Sequence, residues 1–389
     1  MDEVRHRQPQ AVTDRMAEAA EDPSIISLAG AMPADELFPI ASMRTALAKV
    51  MGTEPDKALQ YGWPEGKERL LHHIGSPSII TNGAQEALHL VGRALIPDGS
   101  LVAVEVPTYS SALQSFDLRR AQYLAVPRTT AGLDLDALED AFRAGARVFY
   151  LVASGHNPTG GVLDVEAHRA ILSLAESFGA WIIDDQAYGA IVYGEPPPPL
   201  RSHGRHLDRI VEIGSFSKVL APGLRVGWLT GPESLVHDAT ILKSAIDLET
   251  AGFTQLVMAH WLETCSIEEH LATCMPVYRR RRDALVEALT HEMPEEVTWA
   301  RPEGGFSALV TADVDAAAIL PRAIEAGVLI EPAAPYYATV HVPGAIRLSF
   351  SNVSEDRIGD GVRRLARVLR DVLPPRKDSL RRPSHWRQT

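Results

Sequence analysis

The stretch Ile213-Gly214-Ser215-Phe216-Ser217-Lys218-Val219-Leu220-Ala221-Pro222-Gly223-Leu224-Arg225-Val226-Gly227 decides how the rest of the chain reads. An apolar run, Ile210 to Ile213, feeds a turn of small residues. That turn presents the hydroxyls of Ser215 and Ser217, the amine of Lys218 and, seven residues further on, the guanidinium of Arg225. Hydroxyls and a guanidinium hold a phosphate, and a lysine amine beside that phosphate can reach an aldehyde. The combination suits pyridoxal 5′-phosphate (PLP), a phosphorylated aldehyde cofactor. Taken alone, Ser-x-Ser-Lys is equally an ordinary polar turn. The surrounding sequence has to choose between the two.

A chain of 389 residues is long enough for two domains or one large α/β unit. Its 46% apolar and 23% charged content is that of a soluble globular enzyme. The net charge of −12, with no basic stripe along the body, argues against nucleic acid as a partner. Basic residues gather from Arg363 to Arg387 among prolines, which predicts a solvated tail, disordered over 376–389. Cys265 and Cys274 share a helical-looking segment and match neither a zinc site nor a disulfide framework. Buried thiols in a reducing cytoplasm, with no metal, are expected. Met1 to Arg15 has no apolar core for a signal peptide, and no apolar stretch approaches the ~20 residues of a membrane span. A cytoplasmic protein with no membrane partner is expected.

Short Val/Ile-rich runs recur at Leu101 to Val106, Val148 to Val152, Trp181 to Ile183, Ile210 to Ile213 and Val226 to Leu229. Amphipathic stretches such as Leu135 to Phe142 and Val165 to Phe178 separate them. That alternation predicts an α/β fold: a mainly parallel sheet with helices on both faces. Thr81-Asn82-Gly83-Ala84 opens a helix that Pro97-Asp98-Gly99 stops. After Pro232 long helical patterns take over, with strand candidates at Ser307 to Val310 and Ala345 to Phe350. The expected organisation is a large domain at 41–250 and a smaller α+β domain from 1–40 and 251–375.

Polar residues cluster just after the strand runs, where open α/β sheets bind ligands. Pro107-Thr108-Tyr109 offers an aromatic face. Asn157-Pro158-Thr159-Gly160 is a tight turn with an amide able to bond a phenolate. Asp184-Asp185-Gln186-Ala187-Tyr188 follows the third run, and the lysine turn follows the fourth. Each has a bland alternative as a turn or a helix cap. On a strand, only one of the two aspartates can face a cofactor.

With these motifs in this order, the chain resembles the PLP-dependent aminotransferases of fold type I, class I/II, over nearly its whole length. Within that family it is similar to the group containing 2-aminoadipate and kynurenine aminotransferases and the aminotransferase-like domains of MocR-type regulators. Arg347-Leu348-Ser349-Phe350-Ser351 adds to the match. The resemblance implies that Lys218 forms the cofactor aldimine and then moves a proton between the substrate Cα and the cofactor. It implies that Asp185 pairs with the pyridinium nitrogen, that Tyr188 and Asn157 bond the ring oxygen, and that Tyr109 stacks on the ring. Ser215, Ser217, Arg225 and the backbone amides of Ala84 and Gln85 would hold the phosphate. Arg347 would clamp the substrate carboxylate, with Asn157 and Gly30 lining the substrate site. Tyr61 would reach the phosphate of a neighbouring subunit in a homodimer, or else simply pack.

The implied reaction moves an amino group from an L-amino acid to a 2-oxo acid. The same scaffold also supports elimination, cyclisation or oxidation of an amino acid. A third reading is a ligand-sensing regulator. It would need a DNA-binding module in front, for which about forty residues before the core leave no room. Arg201, His203, Arg205 and His206 read as solvated loop residues. Three features depart from the family. The segment Lys67 to Ile80 is shorter than in relatives by about a dozen residues. Ala31 and Ala333 stand where relatives commonly have glycine, and a positive φ there would strain either one.

Overall fold

A computed structural model describes residues 7–203 and 208–373. An eight-stranded sheet runs in the order Ser78–Thr81, Gly227–Thr230, Ile210–Ser215, Trp181–Asp185, Val148–Leu151, Leu101–Val106, Gln122–Thr129, Gly132–Leu133. The five strands from Ile210–Ser215 to Gln122–Thr129 are mutually parallel. Gly227–Thr230 runs antiparallel to Ile210–Ser215, with Ser215 opposite Gly227. The connection explains this reversal. Residues 216–226 hold only a turn and a short 3₁₀ helix, whereas a parallel crossover takes a dozen or more residues.

Side chains alternate between two cores, as a strand requires. Val148, Tyr150, Ile183 and Val211 face one side, where they meet Leu88 and Val91 of helix Ala84–Leu95 and Leu235 of helix Glu233–Ser244. Phe149, Leu151, Ile182 and Ile210 face the other, where they meet Phe142 of Leu135–Arg143 and Ile171 of Val165–Phe178. Those two helices begin where the sequence provides caps. Asp134 accepts from the Ala137 amide and Asp164 from the Ala167 amide. Gly179 ends the second in the left-handed conformation.

A second core surrounds a four-stranded antiparallel sheet ordered Thr298–Trp299, Ser307–Thr311, Ala345–Ser349, Glu331–Pro332. Helices Ile267–Glu292, Ala316–Glu325 and Glu355–Val372 cover it. The N-terminal strand Ile26–Ser27 pairs in parallel with Val328–Leu329, and Leu28, Ala29 and Ala31 enter the same core. The N-terminal segment therefore runs from this sheet straight to the lysine turn. Helix Gly252–Thr264 joins a separate cluster with Ala46, Val50, Ile80, Phe216 and Leu220.

Several expectations need correction. Arg363 opens no solvated tail, because Ile358, Val362, Leu365 and Leu369 recur at helical spacing and bury one face of Glu355–Val372. The expected tail at 376–389 lies outside the described residues, as do Arg205 and His206. Arg201 and His203 are half-buried in the turn Leu200–His203, which folds onto helix Val165–Phe178; the His203 ring lies 5.7 Å from that of buried His168. The two cysteines belong to different helical elements. Cys265 ends Gly252–Thr264 half-buried, Ser266 caps the next helix, and Cys274 is buried within it; both are free thiols. Neither departing alanine is strained, since Ala333 has φ −101° and Ala31 is not among the positive-φ residues. Among the described residues, no helix is long and apolar enough to cross a membrane.

Candidate active site

The parallel strands deliver their polar ends to one edge. Asp185 is the last residue of Trp181–Asp185 and Ser215 the last of Ile210–Ser215. Asn157 follows Val148–Leu151, and Tyr109 follows Leu101–Val106. At the centre, Lys218 Nζ donates to the Ala31 carbonyl at 2.7 Å and lies 5.4 Å from the Tyr188 ring centroid. Burial lowers the Lys218 amine to about 8, opposed by Tyr109 and reinforced by the positive charges of Arg347 and Arg225. A lysine so placed has a sizeable neutral, nucleophilic fraction near neutral pH.

The adjacent aspartates have different partners. Asp185 accepts from Tyr150 Oη at 2.9 Å and from the Ala187 amide at 3.0 Å, and its charge acts on Lys218. Asp184 points the other way, accepting from Gln186 Nε2 at 2.7 Å; burial raises its carboxyl to about 8. Burial also raises the Asp185 carboxyl, while the Ala187 amide, Tyr150 and Lys218 pull it back down. Tyr188 is buried at Lys218, edge-on to Phe306 with ring centroids 5.5 Å apart, and its hydroxyl points to the Ala31 carbonyl.

Close backbone approach builds the other half of the cradle. The Ser217 amide donates to Ser215 Oγ at 3.1 Å, and the two hydroxyls are 2.9 Å apart. Arg225, in the left-handed conformation, reaches across to the Asn82 carbonyl at 2.9 Å. A Cβ on Gly83, whose φ is +75°, would lie 2.5 Å from Arg225 Nη2, and one on Gly227 would lie 2.7 Å from the Ala84 amide. Only glycine lets these strands press the start of helix Ala84–Leu95 against Arg225. Ala84 and Gln85 therefore open a helix beside the guanidinium, an arrangement that attracts anions. The Gln85 side chain is already engaged, with the Ser111 carbonyl at 3.0 Å and Ser115 Oγ at 2.9 Å.

Arg347 is buried on Ala345–Ser349, with Nη1 donating to Asn157 Oδ1 at 3.0 Å. Burial opposes its charge, but Glu331, Tyr336 and Tyr188 outweigh it and hold the guanidinium firmly protonated. Gly30, at φ +67°, donates its amide to Glu331. Tyr109 is half-buried against Tyr336 and Ala333. Tyr61 stands apart from these residues on the surface, 79% exposed, so it is not a packing residue within the chain.

Two groups went unread in the sequence. Behind the Asn157 turn, Glu105 accepts from Arg128 Nη1 at 2.5 Å and from the Val152 amide at 2.7 Å, with His156 Nε2 3.4 Å away. Burial, then Arg128, keeps His156 neutral. A glutamate inside the apolar run Leu101 to Val106 was the signal. The second group is Glu331, opposite Arg347.

A phosphorylated pyridine aldehyde fits this donor set. There is a primary amine with a lowered pKa, a buried carboxylate for the ring nitrogen, and a glycine-lined helix start with serines and an arginine for the phosphate. Among the described residues, the buried Thr108 hydroxyl and Arg347 Nε have no hydrogen-bond partner. The sequence profile of the aminotransferases of class I and II matches residues 16–365. The chain belongs to that family.

This aminotransferase is 34% identical to the 2-aminoadipate transaminase of Thermus thermophilus, over 94% of this chain and 95% of that one. It is 31% identical to aromatic-amino-acid aminotransferase 1 of Thermococcus litoralis, over 91% and 90%. Among solved structures it is similar to the kynurenine aminotransferase of Pyrococcus horikoshii, with TM-score 0.90 and 33% identity over 95% and 96% of the two chains. It is also similar to the α-aminoadipate aminotransferase of Thermus thermophilus complexed with N-(5′-phosphopyridoxyl)-L-leucine, with TM-score 0.86 and 33% identity over 92% and 94%. The fold is that of the PLP-dependent aminotransferases, the cofactor is pyridoxal 5′-phosphate and the reaction is amino-group transfer. Elimination, cyclisation, oxidation and sensing are not favoured.

Proposed function

We propose that Lys218 carries both the cofactor and the transferred proton, and that Arg347 orients an L-amino acid or a 2-oxo acid through its carboxylate. The observation that supports this best is that Arg347, from the smaller sheet, meets Asp185 and Lys218 at the edge of the large one, where both charges act on the lysine amine. When bound, the cofactor supplies an electron-accepting ring that stabilises negative charge at the substrate Cα. Asp185 keeps the ring nitrogen protonated, and it remains ionised there because a cation takes the place of its lost hydration. Lys218 Nζ would take the Cα proton and deliver it to the former aldehyde carbon of the cofactor, across the shared nitrogen. Its hydrogen bond to the Ala31 carbonyl holds the amine on that side of the pocket. Tyr188 and Asn157 would bond the ring oxygen, Tyr109 would cover the ring, and Ser215, Ser217, Arg225, Ala84 and Gln85 would hold the phosphate.

The experiment that tests this cycle withholds the acceptor. Holoenzyme mixed with its donor alone is expected to release a stoichiometric amount of 2-oxo acid and stop, resuming when a different 2-oxo acid is added. Continuous turnover of one amino acid, with ammonia or a cyclised product accumulating, would overturn the two-step reading.

We also infer a homodimer in which Tyr61 reaches the partner's phosphate. Leu59, Tyr61 and Trp63 are 73%, 79% and 79% exposed in one short segment. Large apolar side chains clustered on a surface mark an interaction site. Sedimentation at twice the 42.3 kDa chain mass is expected; a monomer at micromolar concentration would contradict it.

A further inference from the structure

The arginine assigned to the substrate carboxylate already holds a carboxylate belonging to the chain. Glu331 sits directly across the ladder from Arg347, and its Oε2 accepts from Arg347 Nη2 at 2.6 Å. The same oxygen accepts from the Gly30 amide at 3.2 Å, and Oε1 accepts from Tyr336 Oη at 2.7 Å. Both partners are largely buried, with side-chain exposures of 6% for Arg347 and 14% for Glu331. Three donors anchor Glu331, so it is a fixed part of the pocket rather than a surface charge that happens to lie near. Among the described residues the Arg347 Nε–H has no partner, so the guanidinium retains capacity for an incoming oxygen.

We propose that Glu331 is a specificity-determining residue that competes with the substrate carboxylate for Arg347, so that the pocket favours amino donors carrying a positive charge and disfavours dicarboxylic ones. The inference rests on the reading of Arg347 as the carboxylate clamp. The reason is a charge count. Arg347 and Glu331 together are neutral, and Asp185 is matched to the cofactor ring. Arg347 and Arg225 both act on Lys218, and Arg225 would be taken up by the phosphate. Glu331 already offsets the charge of Arg347, so a substrate carboxylate enters beside a second carboxylate, and in a poorly solvated pocket like charges repel strongly. A cationic side chain restores the balance, whereas a second carboxylate doubles the excess.

The test uses holoenzyme and three donors with six-carbon skeletons: L-lysine, L-norleucine and L-2-aminoadipate. For the natural protein, kcat/KM should fall in that order, with about tenfold or more between the extremes, as expected for one charge-assisted contact. Glu331→Gln keeps the size and an acceptor oxygen but removes the charge. It should lower KM for norleucine about tenfold with a smaller change in kcat, abolish the advantage of lysine, and tighten calorimetric binding of unreactive hexanoate by a similar factor. A natural protein that prefers 2-aminoadipate, or a Gln variant with unchanged donor ratios and hexanoate affinity, would overturn the proposal. Arg347→Lys separates the two readings. If it leaves KM for norleucine unmoved, the clamp itself is misassigned. If it raises that KM while Glu331→Gln has no effect, only the role of Glu331 fails.

Discussion

Lys218→Ala should be catalytically dead, with kcat down by at least ~10³-fold, because one substitution removes both the amine that captures the cofactor aldehyde and the base that moves the proton. Lys218→Arg should be as inactive, since a guanidinium keeps the positive charge but does not give up its proton near neutral pH. That comparison separates chemistry from electrostatics. Both variants should retain the fold, because Lys218 is only half-buried and makes a single hydrogen bond, to the Ala31 carbonyl. Stopped-flow measurement of a single turnover reads the effect directly. An arginine variant with more than a few per cent of normal rate would place the base on another residue.

Asp185→Asn should give the second large effect, a loss of ~10²-fold or more in kcat with the phosphate contacts intact. Without the carboxylate the ring nitrogen loses its proton and accepts negative charge poorly. The same substitution has the opposite consequence for the cofactor-free protein. Burial raises the Asp185 carboxyl above its ordinary value of 3.8, so the folded state favours the protonated form. Its stabilising contribution is then complete below the ordinary value and is lost as pH rises through the raised one. At pH 7 the empty protein carries the penalty of a buried charge, and Asn removes it. Melting curves of the cofactor-free proteins should show the Asn variant to be the more stable at pH 7, with the advantage shrinking toward pH 4. A variant that is less stable at pH 7 would show that Tyr150 and the Ala187 amide fully compensate the charge. The pattern expected is that of an active site that gives up stability for function.

The fold was legible wherever a run of Val and Ile was buried on both faces, as at Val148–Leu151 and Ile210–Ser215. Besides several two-residue strands, two longer strands of the large sheet were missed. Ser78–Thr81 is short and lies inside a segment that read as a linker, and Gln122–Thr129 mixes exposed polar residues with Pro127 and Arg128. Each offers only a short apolar run, Ile79-Ile80 or Tyr123 to Val126, with a proline beside it at Pro77 or Pro127. Arg128 is buried because Glu105 on the neighbouring strand neutralises it, and sheet order is not written in local sequence. The helix Glu355–Val372 was legible from Ile358, Val362, Leu365 and Leu369, but its arginines drew the reading toward a tail.

The residues proposed to face the cofactor stood out in the sequence because each sits in a short motif after a strand run. Alternation said only that one of Asp184 and Asp185 can face a cofactor; the choice of Asp185 came from the family resemblance, and the two differ in their partners, Asp185 bonding Tyr150 and the Ala187 amide and Asp184 bonding Gln186. Glu331 was not legible. It follows the apolar run Val328-Leu329-Ile330 with no motif of its own. Its meaning comes from an antiparallel register that sets it opposite Arg347.

The central claim is that this pocket is built around the amine of Lys218, and covalent trapping tests it most directly. Borohydride reduction of the loaded enzyme followed by peptide mapping should place the phosphopyridoxyl group on Lys218 alone. Lys243, the fully buried alternative, is already paired with Asp247 at 2.6 Å and should stay unmodified. A reduced adduct on any other lysine, or a purified protein that cannot be loaded with pyridoxal 5′-phosphate, would contradict the account.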